Sequence, residues 1–205
     1  MRRIFTLAIL ALAAGAARAD PTSSDVEIAQ IGQVSAAIHQ IGTGNTAVID
    51  QSGGRGSAGI LQSGAGNSAS LTQSGPGFDT AQVAQLGADN LANVAQSGDA
   101  NVITLVQSGS NDRASATQIA TGAGLDVGSL TQVGAGDSVT LTQDGGFDTA
   151  IQTQVGSNDT QSVTQFGVGN EAAYTQIGSG LPDLGVVETG GMHIAIVQTA
   201  SPFAP

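Results

Sequence analysis

The 205-residue sequence contains no cysteine, no tryptophan and no lysine. Without cysteine, disulfides and thiolate metal sites are excluded as sources of order or chemistry. Tyr174 is the single tyrosine and there are five phenylalanines, so a core built on large aromatic side chains is excluded as well. Five arginines are the only fixed cations against sixteen acids. Such a balance argues against nucleic acid or anionic lipid as a partner. Long apolar runs are scarce. Residues 4–14 form the longest, too short to span a bilayer, so no membrane insertion is expected.

That run follows Arg2 and Arg3 and is followed by Ala17-Arg18-Ala19, a small-x-small cleavage site. Residues 1–19 therefore read as a secretory signal peptide, cut between Ala19 and Asp20 on the general export route. The mature chain keeps Arg55 and Arg113 against all sixteen acids, a net charge of −14.

What is abundant is glycine, alanine and glutamine, in register. A glutamine recurs at Gln30, Gln40, Gln51, Gln62, Gln73, Gln85, Gln96, Gln107, Gln118, Gln132, Gln143, Gln154, Gln165 and Gln176, mostly eleven residues apart. Thirteen of these fourteen carry Gly two residues later, among them Gly42, Gly64, Gly87, Gly98, Gly109, Gly134, Gly156 and Gly167; Ala120 is the exception. Six residues before the glutamines from Gln51 onward stand Asn45, Asn67, Asp79, Asn90, Asn101, Asp112, Asp126, Asp137, Asp148, Asp159 and Asn170, with Gly56 the one departure. Four before is usually a small or apolar residue such as Ala47 or Ala69, and two before usually an aliphatic such as Ile49 or Leu71. This register survives the twelve- and fourteen-residue intervals, which places the extra residues between Gly and Asn/Asp.

Alternation by twos is the address of one strand face. The unit reads [Asn/Asp]-x-Ala-x-aliphatic-x-Gln as strand, then x-Gly-x-x as turn. Gly supplies positive φ at the bend, and Asn or Asp tolerates the left-handed region. One aliphatic per strand cannot form a core, but two strands per coil of a β-solenoid can. The expected fold is all-β, with two facing sheets and about 22 residues per coil stacked about 4.8 Å apart. Counting Glu188 and Gln198 with the fourteen glutamines gives sixteen half-units, or eight coils. Inward glutamines one above another can bond as an amide ladder, as in cross-β structures.

The motif Gln40-Ile-Gly42-Thr-Gly-Asn45-Thr-Ala47-Val-Ile-Asp-Gln51 resembles the curlin repeat of bacterial curli subunits, and recurs at Gln62 to Gln73, Gln85 to Gln96 and Gln165 to Gln176. The resemblance covers about residues 28–180. It implies a functional amyloid subunit, exported through the periplasm and an outer-membrane secretion pore of a Gram-negative-type bacterium. Such subunits polymerise at the cell surface with a nucleator or major subunit, in fibres for adhesion and biofilm matrix. The chain has more repeats than the family's familiar members and often has Asp for the inward Asn; whether it is the major or the nucleator subunit stays open.

Around the repeats, residues 20–27 read as an N-terminal segment and residues 181–205 as an atypical terminal unit, cap or docking end. There Pro182 takes the Asn position and Glu188 the Gln position, so the ladder is expected to weaken or stop. Pro202 and Pro205 blunt the final edge. The Asp turns read as solvated, with weak Ca²⁺ binding as the alternative. His39 and His193 lack ligand-spaced companions, and no catalytic cluster of Asp, Ser and His is present, so no cofactor, metal or enzyme activity is expected. Two other functions fit a solenoid: a capped monomeric adhesin, and an ice- or surface-binding array, which the varied outward residues disfavour.

Overall fold

A computed structural model describes residues 14–18, 24–122 and 124–200. Among these residues there is no helix; the chain winds through fourteen parallel strands. The first five are β1 (Ala14–Arg18), β2 (Asp25–Thr43), β3 (Thr46–Ala65), β4 (Ser68–Ala88) and β5 (Leu91–Gly98). Next come β6 (Ala100–Ser110), β7 (Arg113–Ala120), β8 (Asp126–Ala135), β9 (Ser138–Gly146) and β10 (Thr149–Ser157). The last are β11 (Thr160–Val168), β12 (Glu171–Ser179), β13 (Val186–Thr189) and β14 (His193–Thr199).

The coils stack one directly on the next. β3 pairs with β4 so that Ala47 meets Ala69, Ile49 meets Leu71, Gln51 meets Gln73 and Gly53 meets Gly75. The same register repeats at each step: Gln107 meets Gln132, Gln132 meets Gln154, and Gln154 meets Gln176. One sheet consists of the first halves of β2, β3 and β4 followed by β5, β7, β9, β11 and β13. The other consists of their second halves followed by β6, β8, β10, β12 and β14. This is the eight-coil, two-sheet β-solenoid read from the register.

In the first three coils a single bent strand carries both half-units; from β5 onward each half-unit is a separate strand. The bend in β2 and β3 is a bulge, where the register shifts between Gly32 and Gln33 and between Gly53 and Arg55. An extra residue at such a bulge re-aims the strand without disturbing the alternation on either side. The three-residue excess of the longest interval sits between β7 and β8, outside both strands.

The space between the sheets is narrow and filled by small and aliphatic side chains. Ala47, Ala69, Ala92 and Ala150 lie beside Ile49, Leu71, Leu105, Leu130 and Leu141, all fully buried. Each fully buried aliphatic is worth about 1.5–3 kcal/mol. Parallel pairing makes this cheap to repeat, since every coil presents the next with the same contour.

The segment read as a signal peptide lies largely outside the described residues, as do Ala19, Asp20, Pro202 and Pro205. Its residues 14–18 form β1, which pairs in parallel with Ser35 to His39. Regular coiling spans Asp25 to Thr199, so the N-terminal segment and the terminal unit both contribute strands to it.

Candidate functional site

Fourteen glutamines of the register, Gln30 through Gln176, are buried, and in both sheets they bond along the axis. In one sheet Nε2 of Gln30 donates to Oε1 of Gln51 at 2.8 Å, and Gln51 donates to Gln73 at 2.6 Å. The file runs on through Gln96, Gln118 and Gln143 to Gln165, at 2.7 to 2.9 Å. In the other sheet Gln40, Gln62, Gln85, Gln107, Gln132, Gln154, Gln176 and Gln198 form the same chain at 2.7 to 3.1 Å. All donate in one sense, toward the C-terminal coil.

The second N–H of twelve of these fourteen amides, all but Gln30 and Gln51, has a use that the spacing does not reveal. Gln62 donates it to the carbonyl of Thr46 at 3.0 Å, Gln96 to Thr80 at 3.1 Å and Gln143 to Val127 at 3.1 Å. Each acceptor opens the half-unit on the facing sheet. One amide therefore ties coil to coil and sheet to sheet, satisfying both donors of a group that costs about 1–3 kcal/mol when buried unpaired.

Two further glutamines escaped the register because they stand at aliphatic and alanine positions. Gln152 donates across the core to Thr140 O at 3.2 Å, and Gln161 to Thr153 O at 2.8 Å. The signal for them was the break in apolar pattern two and four residues before Gln154 and Gln165. Tyr174 breaks the pattern likewise; buried, it donates its hydroxyl to Gln198 Oε1 at 3.0 Å.

The Asn and Asp positions differ from the reading of solvated, left-handed turn residues. Asn45, Asn67, Asp79, Asn90, Asn101, Asp112, Asp126, Asp137, Asp148, Asp159 and Asn170 are all buried, and none has positive φ. At eight of the eleven the left-handed residue is the one before: Gly44, Gly66, Asp89, Asn111, Gly136, Phe147, Asn158 and Gly169. That turn swings the motif side chain inward. Its Oδ1 then accepts the backbone N–H of the equivalent residue one coil on, as Asn45 does from Asn67 at 3.0 Å and Asp137 from Asp159 at 3.0 Å. The eight turn glycines from Gly42 to Gly167 named above do have positive φ, between 99° and 153°.

Gly56 leaves a gap in this second ladder. A cavity of about 290 Å³ opens there, lined by Gln33, Asp79, Thr80 and the stacked Arg55 and Phe78, whose guanidinium lies 5.3 Å from the ring centre. A Cβ at Gly56 would sit 3.2 Å from Gln73 Oε1, near the end of a flexible side chain. Gly56→Asn is expected to supply the side-chain Oδ1 that the other inward positions carry and raise stability by about 1 kcal/mol. A denaturant midpoint unchanged or lowered in that variant would count against the gap reading.

At the C-terminal end Gln165 donates to Glu188 Oε2 at 2.6 Å, and a carboxylate has no N–H to pass on. Glu188 Oε1 is buried without a donor. The last strand keeps Ile194 and Ile196 packed against the core and Gln198 in the other ladder. His193 pairs with Glu171 at 3.0 Å on the surface. Among the described residues no group of three or more His, Asp or Glu side chains comes together to hold a metal ion.

The Gln ladder, the buried Asn/Asp ladder and the positive-φ Gly that follows thirteen of the fourteen glutamines by two residues together define the repeat of this chain. The family model for the curlin associated repeat matches residues 42–75 and 80–119. The chain carries curlin repeats. The matched residues run from the end of coil one into the first half of coil five, the stretch richest in Asn at the inward position. No curated protein and no solved structure matches the chain. Curlin repeats belong to structural subunits, so the amides above are binding groups between coils rather than groups acting on a substrate.

Proposed function

We propose that the chain is a secreted structural subunit that assembles end to end into extracellular, curli-like amyloid fibres for adhesion and biofilm matrix. Its partners are further copies of itself, a companion major or nucleator subunit, and an outer-membrane secretion pore. One observation carries the reading. Gln40 Oε1 is buried at the N-terminal end of its ladder without a donor, whereas the same oxygen one coil later receives Gln40 Nε2 at 2.7 Å. An added coil from another copy supplies the missing amide in the geometry repeated throughout the stack. The pairing of β1 with this edge supports it, since the edge takes up a further parallel strand. An unpaired strand edge is a template for another chain.

The ladder's end on Glu188 favours a second reading, a monomeric adhesin capped at its C-terminal side. A seeded thioflavin assay on residues 20–205 and 20–180 separates the two. The expected result is fibres from both chains with reflections near about 4.7 and 10 Å, the shorter chain elongating faster. Full-length material that stays monomeric with seeds, while residues 20–180 polymerise, establishes the cap instead.

A further inference from the structure

Asn and Asp share the inward turn position, and their second side-chain atoms meet opposite fates. The Nδ2 of Asn45 donates to Ile41 O at 3.2 Å and Gly64 O at 3.1 Å. That of Asn90 donates to Leu86 O at 3.4 Å and Gly109 O at 3.2 Å, and that of Asn170 to Phe166 O at 3.0 Å. The pocket beside this atom is thus made of carbonyl oxygens. At Asp112, Asp126, Asp137, Asp148 and Asp159 an oxygen, Oδ2, replaces that nitrogen. All five side chains are fully buried, and all five Oδ2 atoms lack a hydrogen-bond partner. Their Oδ1 atoms are occupied, each accepting a backbone N–H from the next coil at 2.8 to 3.1 Å.

We propose that the carboxyls of Asp112, Asp126, Asp137 and Asp148 make residues 112–170 a proton-dependent section of the solenoid: neutral, each Oδ2–H donates to a turn carbonyl as an Asn amide does, and ionised, each leaves an unpaired charge stacked inside the coils.

No cation in the surroundings offsets the ionised form; only the N–H donors on Oδ1, joined at Asp148 by Asn170 Nδ2 at 3.0 Å, act against burial. Asp112 lies between Asn90 and Asp137, and Asp137 between Asp112 and Asp159; Asp159 is followed by Leu181. In the other sheet Asp126 faces Asp148, which faces Asn170, with Asp144 adding a further negative charge to both. The nearest cation in sequence, Arg113, turns its guanidinium to Asn111 O on the surface. Burial pushes the Asp126 carboxyl up to about 6, and the Asp148 and Asp144 charges add to it. Burial likewise raises Asp112, Asp137 and Asp148 above the ordinary value of 3.8.

A carboxyl whose value is raised on folding binds a proton more tightly in the folded chain. Its contribution is complete below the unfolded value, 3.8, and is lost as pH rises through the folded one, about 6 for Asp126. The amino-terminal coils carry Asn45, Asn67, Asn90 and Asn101 and lack this dependence, Asp79 excepted, whose Oδ1 accepts Asn101 Nδ2 at 2.8 Å.

Hydrogen exchange of the mature full chain at about pH 5 and about pH 7.5, corrected for intrinsic rates, tests the proposal without reference to fibre formation. Amides of residues 113–168 are expected to be protected at least about tenfold more at the lower pH, and those of residues 46–76 equally at both. The variant D112N/D126N/D137N/D148N is expected to lose the difference, and D126N alone to reduce it around residues 126–148. Equal protection of the parent chain at both pH values overturns the proposal, as does the same difference persisting in the variants. Recovery of protection at the higher pH on adding millimolar calcium chloride would assign the pockets to a metal ion instead and overturn it too.

Discussion

Replacing Gln96 and Gln143 together by alanine is expected to lower stability by about 4–8 kcal/mol, enough to unfold the chain. The figure follows from what each substitution orphans. Gln73 Nε2 loses its acceptor at Gln96, and Gln118 Oε1 loses its donor. Removing Gln143 takes the acceptor from Gln118 Nε2 and the donor from Gln165 Oε1. Four buried polar groups at a minimum of about 1 kcal/mol each set the lower bound, and the cavities left behind add to it. The carbonyls of Thr80 and Val127 lose their cross-sheet donors as well. Ser97→Ala with Asp144→Ala touches the outward neighbours of the same residues and is expected to shift stability by no more than about 0.5 kcal/mol. Urea midpoints and seeded elongation rates measure both pairs. Equal effects would show that the amides are passengers in the stack.

A comparable loss is expected from a single methyl group. Gly87 has φ of 117°, and a Cβ there would overlap the carbonyl oxygen of Gly109 in the next coil. Gly87→Ala therefore combines a backbone conformation that L residues avoid with a clash against rigid main chain, about 3 kcal/mol or more. Gly169 has φ of 74° but meets nothing within 4 Å. Gly169→Ala then costs only the left-handed conformation, about 1–2 kcal/mol. A gap of less than about 1 kcal/mol between the two in thermal or denaturant unfolding would refute close coil-on-coil packing at the Gly87 bend.

Much of this architecture is legible because length varies only at the corners. Counting back from each Gln keeps Ala69, Leu71 and Gln73 inward whatever the preceding loop does, and that count places all sixteen half-units. What stays illegible depends on distances between coils. Nothing in the spacing of Gln62 says that its second N–H finds Thr46 O, because the partner is set by the width of the core. Likewise Asp137 has the look of a turn residue in sequence, and only the left-handed Gly136 before it turns the side chain inward. The expectation of solvated Asp turns failed on that one rotation. Gln152 and Gln161 were passed over for the opposite reason: they occupy positions that the repeat reserves for apolar residues, and only a neighbouring carbonyl makes an amide acceptable there.

The glutamine files also have an electrical consequence. Backbone N–H and C=O dipoles of a sheet alternate and nearly cancel. The side-chain amides do not, since every link from Gln30 to Glu188 and from Gln40 to Gln198 points the same way. Two parallel files of aligned amide dipoles give the solenoid an axial moment directed toward the C-terminal end, where one file ends on the Gln198 amide and the other closes on the Glu188 carboxylate. In a fibre of like-oriented copies these moments add along the whole length. The filament then has two electrostatically unlike tips, and charged surfaces can tell one from the other.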